Sequence, residues 1–220
     1  MMRERRRIKW FNTLYYEMET LEKIFGGADK VKTMRLFLFN PQTSFDISDI
    51  ARRTKITNTR ARTETKNLEK IGLIKKRILS KGINGSKKKI AIKKKVQGWM
   101  LDEKFSFLHS LQDFLINITS AQYQEIVERI KRVGLVKLII LSGVFIQDNE
   151  SRVDILIVGD KIKKSTVANV VSDIESRVGK EIKYACFETS DFLYRLGMCD
   201  KLIRDILDYP HKKLINKLEI

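Results

Sequence analysis

The residues best suited to chemistry lie in one short stretch. Asn58, Thr59, Arg60, Arg62, Thr63, Lys66 and Lys70 are spaced so that a helix beginning near Asn58 leaves all seven side chains outside. Its inward positions are then Ala61, Thr65, Leu68 and Ile71. An arginine offers two parallel donors that fit a guanine edge, whereas a lysine acts mainly as a point charge on phosphate. Arg60 and Arg62 are therefore expected to read base edges, and Thr59 and Thr63 to meet bases or phosphates. Lys66 and Lys70 are expected to hold the backbone. Arg52 and Arg53, at the end of the preceding helix, are placed to clamp a phosphate strand. Lys81, Lys87, Lys88 and Lys89 surround a flexible turn that could track phosphates or enter a minor groove, contacts that position without specifying sequence.

The charge distribution supports a polyanionic partner. The 220-residue chain carries a formal net charge of +17, and residues 51–100 alone hold 17 Lys or Arg against 2 Asp or Glu. Lysines kept only for solubility would not avoid three quarters of the chain. With about six phosphates neutralised, log affinity should fall against log salt with a slope near −5, at about −0.9 per phosphate. Elsewhere chemistry is sparse. His109 and His211 have no third partner in pattern, so no metal and no cofactor is expected, and no phosphate-binding glycine motif is present. The two cysteines, Cys186 and Cys199, are expected to be reduced thiols.

The elements that must position these residues follow from periodicity. Ile8–Phe25 places apolar residues at three- and four-residue steps and ends at Gly26-Gly27, an amphipathic helix suited to pairing subunits or packing on its own domain. Asp29–Asn40 is helical and stops at Pro41. Asp46 is an N-cap for a short helix running to Thr54. The third helix, from Asn58, ends at Gly72. Leu73–Leu79 and Lys89–Lys93 read as strands joined through Asn84-Gly85, a strong hairpin turn. Asp102–Ile118 is expected to be a linking helix. The second half alternates short apolar strands with helices: Leu135–Leu141, Val153–Val158, Ser165–Val178, Ile182–Phe187, Asp191–Leu196, Asp200–Leu207 and Lys213–Ile215, an α/β pattern with a largely buried sheet. No apolar run reaches the ~20 residues of a membrane span, and basic Met1–Lys9 lacks a following apolar stretch. A cytoplasmic location without membrane association is expected.

The stretch Asp46–Ile74, reading DISDIARRTKITNTRARTETKNLEKIGLI, resembles the winged helix–turn–helix of small prokaryotic transcription regulators. Leu68-Glu69-Lys70-Ile71-Gly72-Leu73-Ile74 matches that class's helix-to-wing junction. Thr65 departs from it, standing where a larger aliphatic is usual, and its hydroxyl could bond the preceding turn. The resemblance implies binding of double-stranded DNA by a transcriptional regulator, with homodimer formation expected.

Residues 135–187 resemble a shortened minimal nucleotidyltransferase domain of the polymerase-β type. In that family, backbone amides after a Gly-Ser pair cradle a triphosphate while three carboxylates hold two Mg²⁺ ions. Here Ser142-Gly143-Val144-Phe145 puts valine in the serine's place. Asp154 matches the second carboxylate, Arg152 occupies the first and Lys183 the third, with Glu181 two residues away. One carboxylate between two cations does not hold two Mg²⁺, so no nucleotidyl transfer is expected. Asp154 is expected to pair with Arg152 or Lys183, or the two cations to take a nucleotide phosphate in place of the metals. Ser142, Gly143, Arg152, Asp154 and Lys183 thus form a vestigial or ligand site. An active nucleotidyltransferase using Asp154 and Glu181, an antitoxin-like partner-binding module and an RNA-binding role are the rival readings.

The expected fold class is α+β. An N-terminal amphipathic helix (1–27) precedes a winged helix–turn–helix domain (28–100). A linker helix (101–118) then leads to a small α/β nucleotidyltransferase-like domain with a mixed sheet (119–220).

Overall fold

A computed structural model describes residues 21–83, 92–116, 120–148 and 150–220. The expected helix Ile8–Phe25 is seen only as helical residues 21–25; the rest of it, the Asn84-Gly85 turn, Lys87, Lys88 and Lys89 lie outside the described residues. The chain mixes helices and strands and divides into two compact units. One comprises Glu22–Asn117 with Ser176–Lys180, and the other Ile118–Glu175 with Glu181–Ile220.

The first unit opens with three helices, α1 (Ala28–Phe39), α2 (Ile47–Thr54) and α3 (Asn58–Lys70). Each starts or stops for a local reason. Gly26 and Gly27 have φ of +82° and +131°, a conformation that ends residues 21–25 before α1 begins. The Asp46 carboxylate accepts the Asp49 N–H at 2.9 Å and caps α2. Thr57 caps α3 by accepting the Arg60 N–H. Gly72, at φ +82°, closes α3. Val31, Met34, Phe37, Ile50, Ala61 and Leu68 are buried and form the seam between the three helices.

Two antiparallel strands follow, β1 (Ile74–Ile83) and β2 (Ile92–Leu101), in register from Ile74↔Leu101 to Ile83↔Ile92. β1 runs four residues beyond the expected end at Leu79. β2, as described, lies later than the expected Lys89–Lys93, sharing only Ile92 and Lys93 with it, because main-chain pairing continues through residues 96–101, which show no strict apolar alternation. Phe45 adds a single antiparallel bridge to Trp99, with main-chain hydrogen bonds of 2.8 Å in both directions. The linking helix, α4, is described over Leu108–Ile116 and begins at Leu108, not at the expected Asp102; the expected end at Ile118 lies outside the described residues. Asp102 explains the late start: its carboxylate accepts the Lys104 N–H and its carbonyl the Phe105 N–H, so a turn forms where a helix was expected.

The second unit contains α5 (Ser120–Ile130), a 3₁₀ turn (Lys131–Val133), β3 (Leu135–Leu141), a second 3₁₀ turn (Gly143–Phe145) and β4 (Ile155–Asp160). The helix α6 (Lys164–Val178), β5 (Tyr184–Glu188), α7 (Thr189–Gly197), α8 (Lys201–Asp208) and β6 (Lys212–Asn216) complete the chain. The sheet order is β5-β4-β3-β6. β4 pairs antiparallel with β3 and parallel with β5, so the sheet is mixed. Residues 155–159 are all buried, as their unbroken apolar run requires when both sheet faces are covered. Leu138, Ile140, Leu156, Val158, Phe192 and Ile203 build the core on one face.

No helix among the described residues is long and apolar enough to cross a membrane. Cys186 and Cys199 are free thiols.

Candidate nucleic-acid interface

The α3 helix has 13 residues, about 20 Å of axis. Ala61, Thr65 and Leu68 are buried and fix which side faces the protein. Thr65 replaces an aliphatic without leaving a polar orphan, because its hydroxyl donates to the Ala61 carbonyl at 2.6 Å. Ile71, expected inside, is 54 % exposed. It sits past the last helical residue, where the chain turns through Gly72, so the helical period no longer sets its direction.

Asn58, Thr59, Arg60, Arg62, Thr63, Lys66 and Lys70 are all exposed. Thr59, Thr63, Lys66 and Lys70 follow at steps of four, three and four along the line opposite the buried stripe, with Arg60 and Arg62 flanking it on either side. No ion pair engages Arg62, Lys66 or Lys70 among the described residues. Arg60 differs: its Nη1 lies 3.2 Å from Asp29 Oδ2 at the start of α1. Arg60 is thus ion-paired on one flank while its side chain stays 70 % exposed, whereas Arg62 has no ion pair among the described residues. The Thr63 hydroxyl donates to the Thr59 carbonyl at 3.2 Å. Asn67 also lies on this face, exposed one turn beyond Thr63. Asparagine pairs with an adenine edge through two hydrogen bonds. Asn58, Thr59 and Thr63 are singled out from the sequence but Asn67 is passed over, although its spacing of four from Thr63 is visible there.

The two acids of α3 lie off its outward line and on its flanks, Glu64 one turn beyond Arg60 and Glu69 two turns beyond Arg62. Glu64 and Glu69 are half-buried. Glu69 accepts the Trp99 indole N–H at 2.9 Å and pairs with Lys76 at 2.8 Å. Hydrogen bonds from Lys76 and Trp99 hold its carboxyl below the usual carboxylate range. Glu69 thereby fastens the C-terminal end of α3 to the hairpin. On β1, Arg77 is exposed, as is Lys95 on β2.

Arg52 and Arg53 differ in freedom. Arg52 is exposed and pairs with Asp49 at 3.3 Å within α2. Arg53 is half-buried, its guanidinium 5.2 Å from the centroid of the Phe45 ring. Lys81 is held more tightly. Its Nζ lies 2.6 Å from Asp46 Oδ2 and 2.6 Å from Asp49 Oδ2. Burial alone would raise the Asp46 pKa, but hydrogen bonds from Lys81, Ser48 and the Asp49 N–H prevail and bring it to about 2. Burial would likewise lower that of Lys81, and the two carboxylates reverse the direction and raise it.

In the second unit, Ser142, Gly143, Asp154 and Lys183 do converge. Asp154 is buried, and its Oδ1 accepts the Val144 N–H at 2.8 Å while its Oδ2 accepts the Lys183 N–H at 2.7 Å. Its main chain is also clasped: Ser142 donates to the Asp154 carbonyl and Asp154 to the Lys183 carbonyl. The Ser142 hydroxyl donates to the Val153 carbonyl. Gly143 has φ +55°, and a Cβ there would overlap Asp154 Oδ1. The expected ion pairs with Asp154 do not form. Arg152 instead pairs with Asp205 of α8 at 3.0 Å, and it is the backbone of Lys183, not its ammonium, that meets the carboxylate. Both Asp154 and the amide following the glycine are engaged with one another. Among the described residues, no group of three or more His, Cys, Asp or Glu is gathered as metal ligands would be.

No protein-family model matches the chain, and no curated protein or solved structure is significantly similar to it.

Proposed function

We propose that the first unit binds double-stranded DNA as a winged helix–turn–helix, with α3 in the major groove and the β1–β2 hairpin along the backbone, and that the chain acts as a transcriptional regulator. One observation carries this reading: the outward line of α3 presents Thr63, Lys66 and Lys70 without a carboxylate, with Arg62 exposed on one flank, while Glu69, two turns beyond Arg62 on that flank, is tied to Trp99 and Lys76. A helix of this diameter fits the major groove, where Arg62 can meet guanine and Asn67 adenine while Lys66 and Lys70 meet phosphates. Selection of bound duplexes from a random pool tests the proposal. Wild-type protein should enrich a common motif, and Arg62→Ala should lose preference at one position while keeping weak binding. An unchanged motif refutes the assignment of Arg62.

The second unit is read as a catalytically silent, nucleotidyltransferase-like module, used for pairing or sensing. The support is chemical. Asp154 spends both oxygens on main-chain amides, and Arg152 and Lys183 stand at the other two carboxylate positions of the pattern. A divalent metal would have to displace two good hydrogen bonds to be met by a single carboxylate. Incubation with labelled nucleoside triphosphates and Mg²⁺ should show no incorporation into protein or nucleic acid; incorporation abolished by Asp154→Ala would overturn the reading.

A further inference from the structure

Lys81 belongs to the most cationic stretch of the chain, yet its ammonium is shared between two carboxylates from another element. Its Nζ is 2.6 Å from both Asp46 Oδ2 and Asp49 Oδ2, at the first turn of α2. The remaining oxygens of that pair are also occupied. Asp46 Oδ1 receives the Ser48 hydroxyl at 2.6 Å and the Asp49 N–H at 2.9 Å, and Asp49 Oδ1 receives Arg52 at 3.3 Å. The side chains of Asp46 and Asp49 are 12 % and 21 % exposed and that of Lys81 37 %, so the contacts are partly withdrawn from water. Lys81 lies on β1 beyond the last hairpin residue that touches α3 through an ion pair, Lys76.

We propose that Lys81 is a positioning residue and not a phosphate contact: its double ion pair with Asp46 and Asp49 docks the outer part of the β1–β2 hairpin against the first turn of α2. The inference rests on the DNA-binding reading for its consequence, that docking presets the angle at which the hairpin's other cations meet the duplex. It does not depend on that reading for the docking itself.

The two roles predict opposite signs for one substitution. Were Lys81 a phosphate contact held back by acids, Asp49→Asn would free it, remove a negative charge from a cationic unit and strengthen DNA binding. If Lys81 docks the hairpin, Asp49→Asn loosens the hairpin and weakens binding despite that loss of negative charge. Asp49 is preferable to Asp46 for this test because Asp46 also caps α2, and since Asp49 also pairs with Arg52 the variants are compared in an Arg52→Gln background. The expected result, by fluorescence anisotropy with a labelled duplex, is a loss of about threefold to tenfold for both Asp49→Asn and Lys81→Met. The double variant should be no weaker than Lys81→Met alone, since both remove one interaction. Lys81→Arg should restore near wild-type affinity, because a guanidinium can reach both carboxylates. Tighter binding by Asp49→Asn, or additive losses in the double variant, would overturn the proposal. Hydrogen exchange of the full chain without DNA supplies the second arm. Amides of residues 78–81 should exchange about threefold to tenfold faster in Asp49→Asn and in Lys81→Met. Unchanged exchange in both removes the docking role even if DNA binds well. Faster exchange in a protein with no salt-dependent duplex binding keeps the docking and rejects the DNA-binding reading.

Discussion

Replacing Lys66 and Lys70 together by glutamine should change how DNA binding responds to salt more than it changes what is bound. Both side chains are exposed and lie on the outward line of α3, and neither has an ion pair among the described residues, so their loss should leave folding almost untouched. Each phosphate neutralised contributes about −0.9 to the slope of log affinity against log salt. Arg62, Lys66 and Lys70 then account for about −2.7, and Arg52, Arg53 and one hairpin lysine bring the total to about −5.4. The double variant should show a slope near −3.6. Between about 50 and 200 mM salt, wild-type affinity should fall about 2,000-fold and that of the variant about 150-fold. Anisotropy titrations of one labelled duplex across that range measure both slopes, and a thermal melt checks that the fold is intact. The sequence motif obtained by selection should not shift, because ammonium contacts to phosphate carry no base information. Lys201→Gln with Lys217→Gln, exposed cations of the second unit, serves as the control and should leave the slope unchanged. A double variant on α3 that keeps the wild-type slope, or a control that lowers it equally, would refute the placement of the phosphate contacts on this helix.

Other expectations concern stability. Asp154→Asn should cost about 2 kcal/mol in urea unfolding, because an amide group would set a donor against the Val144 or Lys183 N–H in a buried site; a loss under about 0.5 kcal/mol would show that the loop does not depend on the carboxylate. Gly143→Ala should be at least as damaging, since it combines φ +55° with a direct overlap on Asp154 Oδ1, and a melting temperature equal to wild type would contradict that. Asp46 gives the chain an acid-sensitive term. Its folded-state pKa of about 2 lies below the ordinary 3.8, so its contribution is complete above about pH 4 and disappears as pH falls toward 2. The expected loss is about 2 kcal/mol over that window, seen as a drop in stability that Asp46→Asn largely abolishes. An identical pH profile in that variant would remove the assignment.

Elements governed by local chemistry could be read from sequence alone. Asp46, Thr57-Asn58 and Gly72 mark the ends of α2 and α3 because capping and left-handed closure involve residues only a few positions apart. The buried spacing of Ala61, Thr65 and Leu68 sets which side of α3 is outside, and with it most of the candidate site. Failures arose where a distant or competing partner decides. Asp102 has acceptor groups that serve a turn as readily as a helix start, so α4 begins at Leu108. The Phe45–Trp99 bridge joins residues 54 positions apart and leaves no periodic trace. Arg60 and Arg62 are indistinguishable by type, and only the position of Asp29 separates them.

Lys81 and Asp154 show why charge inventory is a better guide to a partner than to individual contacts. Net charge over residues 51–100 sums long-range potential and survives any local pairing, so it argues for a polyanion whichever lysine does the touching. Individual assignments depend on what each charged group has already satisfied. Lys81 lies in the most cationic segment but is neutralised by Asp46 and Asp49. Asp154, which the resemblance would place among metal-binding carboxylates, has both oxygens committed to backbone N–H groups. A charged side chain that is partly buried is stabilised by a counterpart within the fold, because leaving it unpaired costs several kcal/mol. Lys81 and Asp154 both have one, although half-buried Glu64 has none among the described residues. Those able to recruit a partner molecule are the ones folding has left exposed and unpaired. By that criterion Arg62, Lys66 and Lys70 are the residues on which recognition should depend most.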